Sequence, residues 1–131
     1  AVLYVDLDGF KPVNDRYGHA VGDQLLVWVA RQLTQAARED DLVARLGGDE
    51  FALLQRGVSD GDSAYRLADR LVQALGQPTE IEAHALQIGA SIGIVLSPGD
   101  GTEAEELLRK ADSAMYLAKA TGRGCARIYG T

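Results

Sequence analysis

The chain has a single cysteine, Cys125, in 131 residues. An internal disulfide is excluded, and a reducing compartment fits. Cys125 reads as a small strand residue. Positive charge is in short supply: 13 Lys and Arg face 19 Asp and Glu, a net charge of −6. Such a surface argues against a nucleic-acid backbone or an anionic membrane as the main partner. It leaves a nucleotide open, because a divalent cation neutralises charge locally. No apolar run reaches membrane-spanning length and no signal peptide is visible. Repeats, low-complexity tracts and internal domain boundaries are missing as well. What is present suffices for one domain with a real core, since 47% of residues are hydrophobic. The first residue already sits inside a strand pattern, so the sequence reads as a fragment that starts mid-domain.

The organising stretch is Arg45-Leu46-Gly47-Gly48-Asp49-Glu50-Phe51. It joins the apolar runs Leu42-Val43-Ala44 and Phe51-Ala52-Leu53-Leu54. Two glycines between strand-like runs predict a tight hairpin, because glycine accepts positive φ without steric cost. Adjacent carboxylates at a turn without side chains suit metal-bound phosphate. On its own the same turn is usually just a solvated hairpin. A second acidic pair follows the apolar strand Ala1 to Leu7: Asp6 and Asp8 flank Leu7, and strand alternation turns them to one face. Acids there are costly unless solvated or bound to a cation.

Helical and strand patterns fill the rest. Pro12 suits the first turn of a short helix and Gly18 its end. Lys11, close behind the acids, is placed to meet phosphate or is a plain surface lysine. Leu25, Leu26, Val29, Ala30 and Leu33 predict a helix over about 22–38, with Asp23 near its start and Trp28 packing. Arg38 to Asp41 reads as a charged connection. Ala64, Leu67, Ala68, Leu71, Val72 and Leu75 predict the next helix, stopped by Gly76 and Pro78. Strands are expected over 80–83 and 85–96 around a turn at His84. His84 and His19 read as exposed turn residues, without a metal-ligand partner at useful spacing. Thr102 and Glu105 form a capping-box pattern for a last helix with Met115 in the core, followed by a strand over 126–129. This order gives an α/β (α+β) fold with a central mixed, partly antiparallel sheet flanked by helices, of ferredoxin-like or polymerase-palm type.

Taken together, these stretches closely resemble the GGDEF family, the diguanylate cyclase domain. The matching residues are Asp6-Leu7-Asp8-Gly9-Phe10-Lys11, Asn14 to His19, Gly22-Asp23, Arg45 to Phe51, Ser91-Ile92-Gly93, Ala111-Asp112, Ala114-Met115-Tyr116, and Ala118-Lys119 with Gly122-Arg123. They run nearly the whole chain, so residues 1–131 are identified as such a domain with its N-terminal part missing. The resemblance implies a nucleotide-cyclase fold. It also implies condensation of two GTP into cyclic di-GMP and two pyrophosphates, in a bacterial cytoplasm, by a homodimer holding two Mg²⁺ (or Mn²⁺) per active site. By resemblance Asp6, the Leu7 carbonyl and Asp49 hold metal. Glu50 adds a metal contact or takes the 3′-hydroxyl proton; both roles stay open. Asn14 and Asp23 would read guanine. Lys119 and Arg123 would hold the terminal phosphates, helped by Lys11 and the backbone at Gly9 and Phe10. Gly47 and Gly48 would leave room for the α-phosphate and nucleoside.

Arg38-x-x-Asp41, followed by five residues and then Gly47, has the spacing of the family's inhibitory site for cyclic di-GMP, where by resemblance Arg38 would grip phosphate or the guanine edge and Asp41 the base, with Arg66 or Arg70 assisting. The family's Leu-Thr-Gly-Leu-x-Asn-Arg stretch is missing, and Gly124-Cys125 stand where an Asn is frequent. The stretch Leu75 to Leu96 is similar to GGDEF domains that precede a phosphodiesterase EAL domain, so sensor or EAL domains are implied partners. Two other readings remain: a GTP- or cyclic di-GMP-binding regulatory module without useful turnover, and an adenylyl-cyclase-like or palm enzyme. Asn14 with Asp23 and the lack of a basic groove disfavour the last.

Overall fold

A computed structural model describes residues 1–58 and 60–131. In chain order the elements are β1 (Val2–Asp8), α1 (Phe10–Tyr17), α2 (His19–Ala36), β2 (Leu42–Gly47), β3 (Glu50–Leu54), α3 (Gly61–Leu75), β4 (Thr79–Ile81), β5 (His84–Leu86), β6 (Gly89–Val95), α4 (Ala104–Ala120) and β7 (Ala126–Ile128). Five strands form one sheet in the order β2-β3-β1-β6-β7, and β4 and β5 form a separate hairpin. All pairs in the main sheet are antiparallel except β6 with β7, which makes the sheet mixed as expected. Among the described residues no helix is long and apolar enough to cross a membrane.

Strand alternation separates the two faces of β1. Leu3, Val5 and Leu7 are buried in the main core with Leu25, Val29, Leu33, Leu67 and Leu71 of α2 and α3. Val2, Tyr4, Asp6 and Asp8 are half-buried on the other face, with Val2 and Tyr4 packed against the smaller cluster of Val95, Leu107 and Ala111. Helix α4 lies close on this face because β6 carries Gly93. A Cβ there would stand 2.0 Å from the Ala111 carbonyl oxygen and 2.4 Å from the Met115 nitrogen. That close approach brings the end of α4, and with it Lys119, over the end of β1. Met115 is buried, as its helical spacing predicts.

Several local expectations need correction. Helix α2 opens at His19 and closes at Ala36, so Asp23 stands in its second turn and Arg38 beyond its end. The span expected as one strand over 85–96 is two. It breaks at Gln87 and Ile88, where the Gln87 side chain donates to the Gly76 carbonyl at 2.9 Å and Ile88 turns into the core. The β4–β5 turn falls on Glu82 and Ala83, with φ of 48° and 67°. His84 is exposed but opens β5, and its ring packs tilted against Tyr17, with centroids 4.6 Å apart. The Thr102–Glu105 capping box does not form. Helix α4 begins one residue later than that pattern requires, so Glu103 takes the cap position and no side chain closes it.

Candidate active site

The register of the sheet joins the two acidic pairs. In the β1–β3 ladder Asp6 lies opposite Glu50, and the Leu7 amide donates to the Asp49 carbonyl at 3.1 Å. The end of β1 and the tip of the β2–β3 hairpin are therefore neighbours. The hairpin is shaped by its own residues. Gly48 has φ of 50°, a conformation glycine adopts freely, and the ladder slips by one residue between Arg45 and Gly47. The Arg45 guanidinium donates twice to the Gly48 carbonyl, at 3.1 and 2.9 Å, and so ties the turn down.

Lys119 sits between the strand-end acids, 3.4 Å from Asp6 and 3.1 Å from Asp8. Asp8 gathers the most partners. Its carboxylate accepts from the buried Ser91 hydroxyl at 2.8 Å and from the Gly124 amide at 3.0 Å, with Arg123 at 3.9 Å. Burial raises the Asp6 carboxyl to about 6; Lys119 opposes the rise, while the charges of Asp49 and Glu50 add to it. The Tyr4 hydroxyl donates to Glu50 Oε2. Burial, then that hydrogen bond and the carboxylate's charge, push the Tyr4 hydroxyl well above its usual range.

Among the described residues no three acidic side chains stand together as a ready metal cage. Asp6 and Asp8 are instead neutralised by Lys119. The donor chemistry nonetheless suits a hard divalent cation, because all the side-chain ligands are carboxylate oxygens.

Sequence-predicted residues fall into groups. Asp6, Leu7, Asp49, Glu50, Lys119 and Arg123 meet at the joined strand ends, with Gly47 and Gly48 forming the adjacent turn. Gly9, Phe10 and Lys11 lead from β1 into α1: Gly9 caps the helix with φ of 85°, Phe10 is buried and Lys11 exposed. Asn14 lies in the corner between α1 and α2. A Cβ on Gly22 would stand 2.1 Å from its Oδ1, so Asn14 rests directly beside the residue that precedes Asp23.

Arg38 and Asp41 lie elsewhere, at the opposite end of β3. They line a cleft of about 550 Å³ with Arg66, Arg70, Tyr65 and Gln55. The Asp41 side chain is only 1% exposed, and its two oxygens accept from the Arg38 amide at 2.9 Å and the Arg56 amide at 3.2 Å. Two participants escaped sequence reasoning about roles, Tyr4 and Ser91. Alternation along β1 does put Tyr4 on the face of Asp6 and Asp8. Its partner Glu50 is 46 residues away, and nothing local gives that pairing.

Fold and site thus define an α/β domain in which carboxylates from a strand end and a hairpin tip converge beneath a lysine and an arginine. Comparisons with known proteins agree. Residues 1–125 match the family profile described as "Diguanylate cyclase, GGDEF domain". The chain is 53% identical over 123 residues to the bifunctional diguanylate cyclase/cyclic di-GMP phosphodiesterase MucR of Pseudomonas aeruginosa, covering 94% of this chain and 18% of MucR. It is 41% identical over 129 residues to the cyclic di-GMP phosphodiesterase NbdA of the same species, covering 98% of this chain and 16% of NbdA. The crystal structure of the GGDEF domain of PA1120 (YfiN or TpbB) from Pseudomonas aeruginosa superposes with a TM-score of 0.94 at 42% identity, covering 99% of this chain and 81% of that one. The chain belongs to the GGDEF family, and it spans less than a fifth of the length of these two curated relatives.

Proposed function

We propose that this domain is a diguanylate cyclase, condensing two GTP into cyclic di-GMP and two pyrophosphates across a site shared by two copies of the chain. The observation that carries the reading is the β1–β3 register, which joins Asp6 to Glu50 and Leu7 to Asp49 under Lys119. In each half-reaction the 3′-hydroxyl oxygen of one GTP forms a bond to the α-phosphorus of the other. The bond from that phosphorus to the pyrophosphate oxygen breaks, and the hydroxyl proton leaves. Chemistry of this kind rests on positioning and on offsetting charge. Asp6, the Leu7 carbonyl, Asp49 and Glu50 would hold Mg²⁺ or Mn²⁺, two per site. When bound, the ions would neutralise phosphate charge and acidify the attacking hydroxyl. Glu50 is the alternative acceptor of that proton, with its Oε2 held by Tyr4. Lys119 and Arg123, now on Asp8, would turn to the terminal phosphates beside Lys11 and the Gly9–Phe10 backbone. Gly47 and Gly48 would leave room for the nucleoside, and Asn14 and Asp23 would read guanine.

The arginine cleft supports product inhibition. Arg38, with Arg66 and Arg70, offers guanidinium groups to the phosphates or guanine edges of cyclic di-GMP. Asp41, held by backbone amides, shapes the loop that presents Arg38. The domain would work in the bacterial cytoplasm, beside sensor or EAL domains of a longer polypeptide.

A second reading, a GTP- or cyclic di-GMP-sensing domain that controls an attached phosphodiesterase, is favoured by the likeness to NbdA. Incubation of the complete polypeptide with GTP and Mg²⁺, with products separated by chromatography, tests the two. Cyclic di-GMP from the unaltered protein and none from Asp49→Ala supports the cyclase. Bound GTP without product, after tightly held cyclic di-GMP is stripped, overturns it and leaves the regulatory reading.

A further inference from the structure

The corner between α1 and α2 contains an arrangement that the catalytic machinery does not use. Asn14, on α1, is half-buried. Its Nδ2 lies 2.9 Å from Nδ1 of His19, the first residue of α2. With the amide nitrogen on this side, the contact is met by the imidazole tautomer that accepts at Nδ1 and carries its proton on Nε2. On the other side of the amide is Gly22. A Cβ on that residue would stand 2.1 Å from Asn14 Oδ1, 3.0 Å from its Cγ and 3.4 Å from the Phe10 ring. The missing side chain lets the amide lie against α2.

The backbone fixes the same corner. The Gly18 amide donates to the Asn14 carbonyl at 2.9 Å, and the Gly22 amide to the Gly18 carbonyl at 3.1 Å. Gly18 makes the turn with φ of 93°. Asn14 is thus fixed by its main chain from below, by His19 at its nitrogen and by the bare face of Gly22 at its oxygen. The amide keeps one N–H and lone pairs on Oδ1 for a ligand, in one fixed order.

We infer that His19 is a positioning residue for nucleobase selection: together with Gly22 it locks the Asn14 amide in the orientation that distinguishes guanine from adenine. The inference rests on the reading of Asn14 as a guanine-contacting residue. Without His19 the amide is free to rotate by half a turn, and donor and acceptor exchange places. A purine that presents the opposite edge then meets less opposition. The Asn14–His19 bond is exposed, so the lock sets the order of donor and acceptor at the amide and adds little to overall stability.

The test is direct binding of GTP and of ATP, each with Mg²⁺, to the complete polypeptide by titration calorimetry, so that turnover is not required. His19→Ala is expected to lower the preference for GTP over ATP about tenfold, and to add nothing in an Asn14→Ala background, the non-additivity expected of coupled residues. His19→Asn, whose side-chain oxygen can take the place of Nδ1 as acceptor, is expected to keep the preference. Gly22→Ala should lower it as His19→Ala does, and should be tolerated better once Asn14 is Ala. If Asn14→Ala collapses the preference and His19→Ala leaves it intact, the lock is overturned while the guanine reading stands. If Asn14→Ala leaves the preference intact, or the unaltered protein binds no GTP, the guanine reading itself fails and the inference falls with it.

Discussion

The two ends of the β1–β3 pair carry opposite chemistry. At one end the strand carrying Asp6 and Asp8 pairs with the hairpin tip carrying Asp49 and Glu50; at the other Arg38, Arg66 and Arg70 line a cleft. From Glu50 to Gln55 the distance along an extended strand is roughly 17 Å. The acids at the two ends are treated differently. The Asp41 side chain is buried and satisfied by two backbone amides, while its neighbour Arg38 is 65% exposed, with its guanidinium on the Arg56 carbonyl at 3.3 Å and 4.0 Å from Asp41. Asp6 has Lys119 at 3.4 Å but, among the described residues, no backbone donor to its side chain, and burial, with the charges of Asp49 and Glu50, raises its carboxyl to about 6. One acid steadies a loop so that a cation can be presented. The other is half-buried with a lysine as its partner, and has lone pairs left for a cation. The difference shows that burial alone says little about an acid's role; what matters is whether its lone pairs are already met.

The largest expected effect breaks the acidic end alone. Asp49→Ala should lower cyclic di-GMP formation by about a thousandfold or more, as expected when several kcal/mol of charge stabilisation are lost. GTP turnover assays check this, with sensitivity to added cyclic di-GMP binding at the arginine cleft unchanged. Next is the support beneath Lys119. Gly93→Val should cost about 1–3 kcal/mol in urea unfolding, because α4 must move off β6, and activity should fall with it. At the opposite end, Arg70→Ala or Arg38→Ala should weaken inhibition by cyclic di-GMP about tenfold while leaving the uninhibited rate near its starting value. Inhibition assays at several product concentrations read that directly.

A smaller effect sharpens the contrast between the two kinds of acid. In metal-free protein, Asp6 holds its proton in the fold up to pH of about 6 but releases it near its ordinary value of 3.8 when unfolded. The folded state therefore binds more protons between these values, and this group's contribution to stability falls as pH rises through that window. Asp6→Asn should remove the decline, giving a higher Tm than the unaltered protein at pH 7.5 and little difference at pH 4. A thermal melt series across this range in the presence of chelator checks the sign. Tyr4→Phe should change turnover least, by about threefold, by releasing one oxygen of Glu50.

Much of this was legible because period and punctuation agree. Alternation put Asp6 and Asp8 on one face, and the glycines of Gly47-Gly48 marked the hairpin that β2 and β3 form. The helical spacing of Leu25, Val29 and Leu33 located α2, but its first turn was missed: His19, Ala20 and Val21 precede the periodic apolar run, and Gly18 signals both the end of α1 and the start of α2. The break at Gln87 was invisible because Ile88 continues the apolar pattern through it. Long-range pairings were legible only in part. The meeting of strand end and hairpin tip follows once the two strands pair, whereas Tyr4 on Glu50 and Ser91 on Asp8 depend on a register that no local pattern encodes. Asp41 was legible only as part of the Arg38-x-x-Asp41 spacing; its hold on the Arg56 amide, beyond the hairpin, was not.

The central claim is that the acids of the strand end and of the hairpin tip form one cation-dependent nucleotide site. Its most direct test is the number of Mn²⁺ ions bound per GTP-loaded protein, read by electron paramagnetic resonance on the complete polypeptide and on Asp6→Asn and Asp49→Asn. The account predicts two ions in the unaltered protein and a loss from either variant, with the double variant losing less than the sum of the two. An ion count that is the same in all four proteins would contradict it.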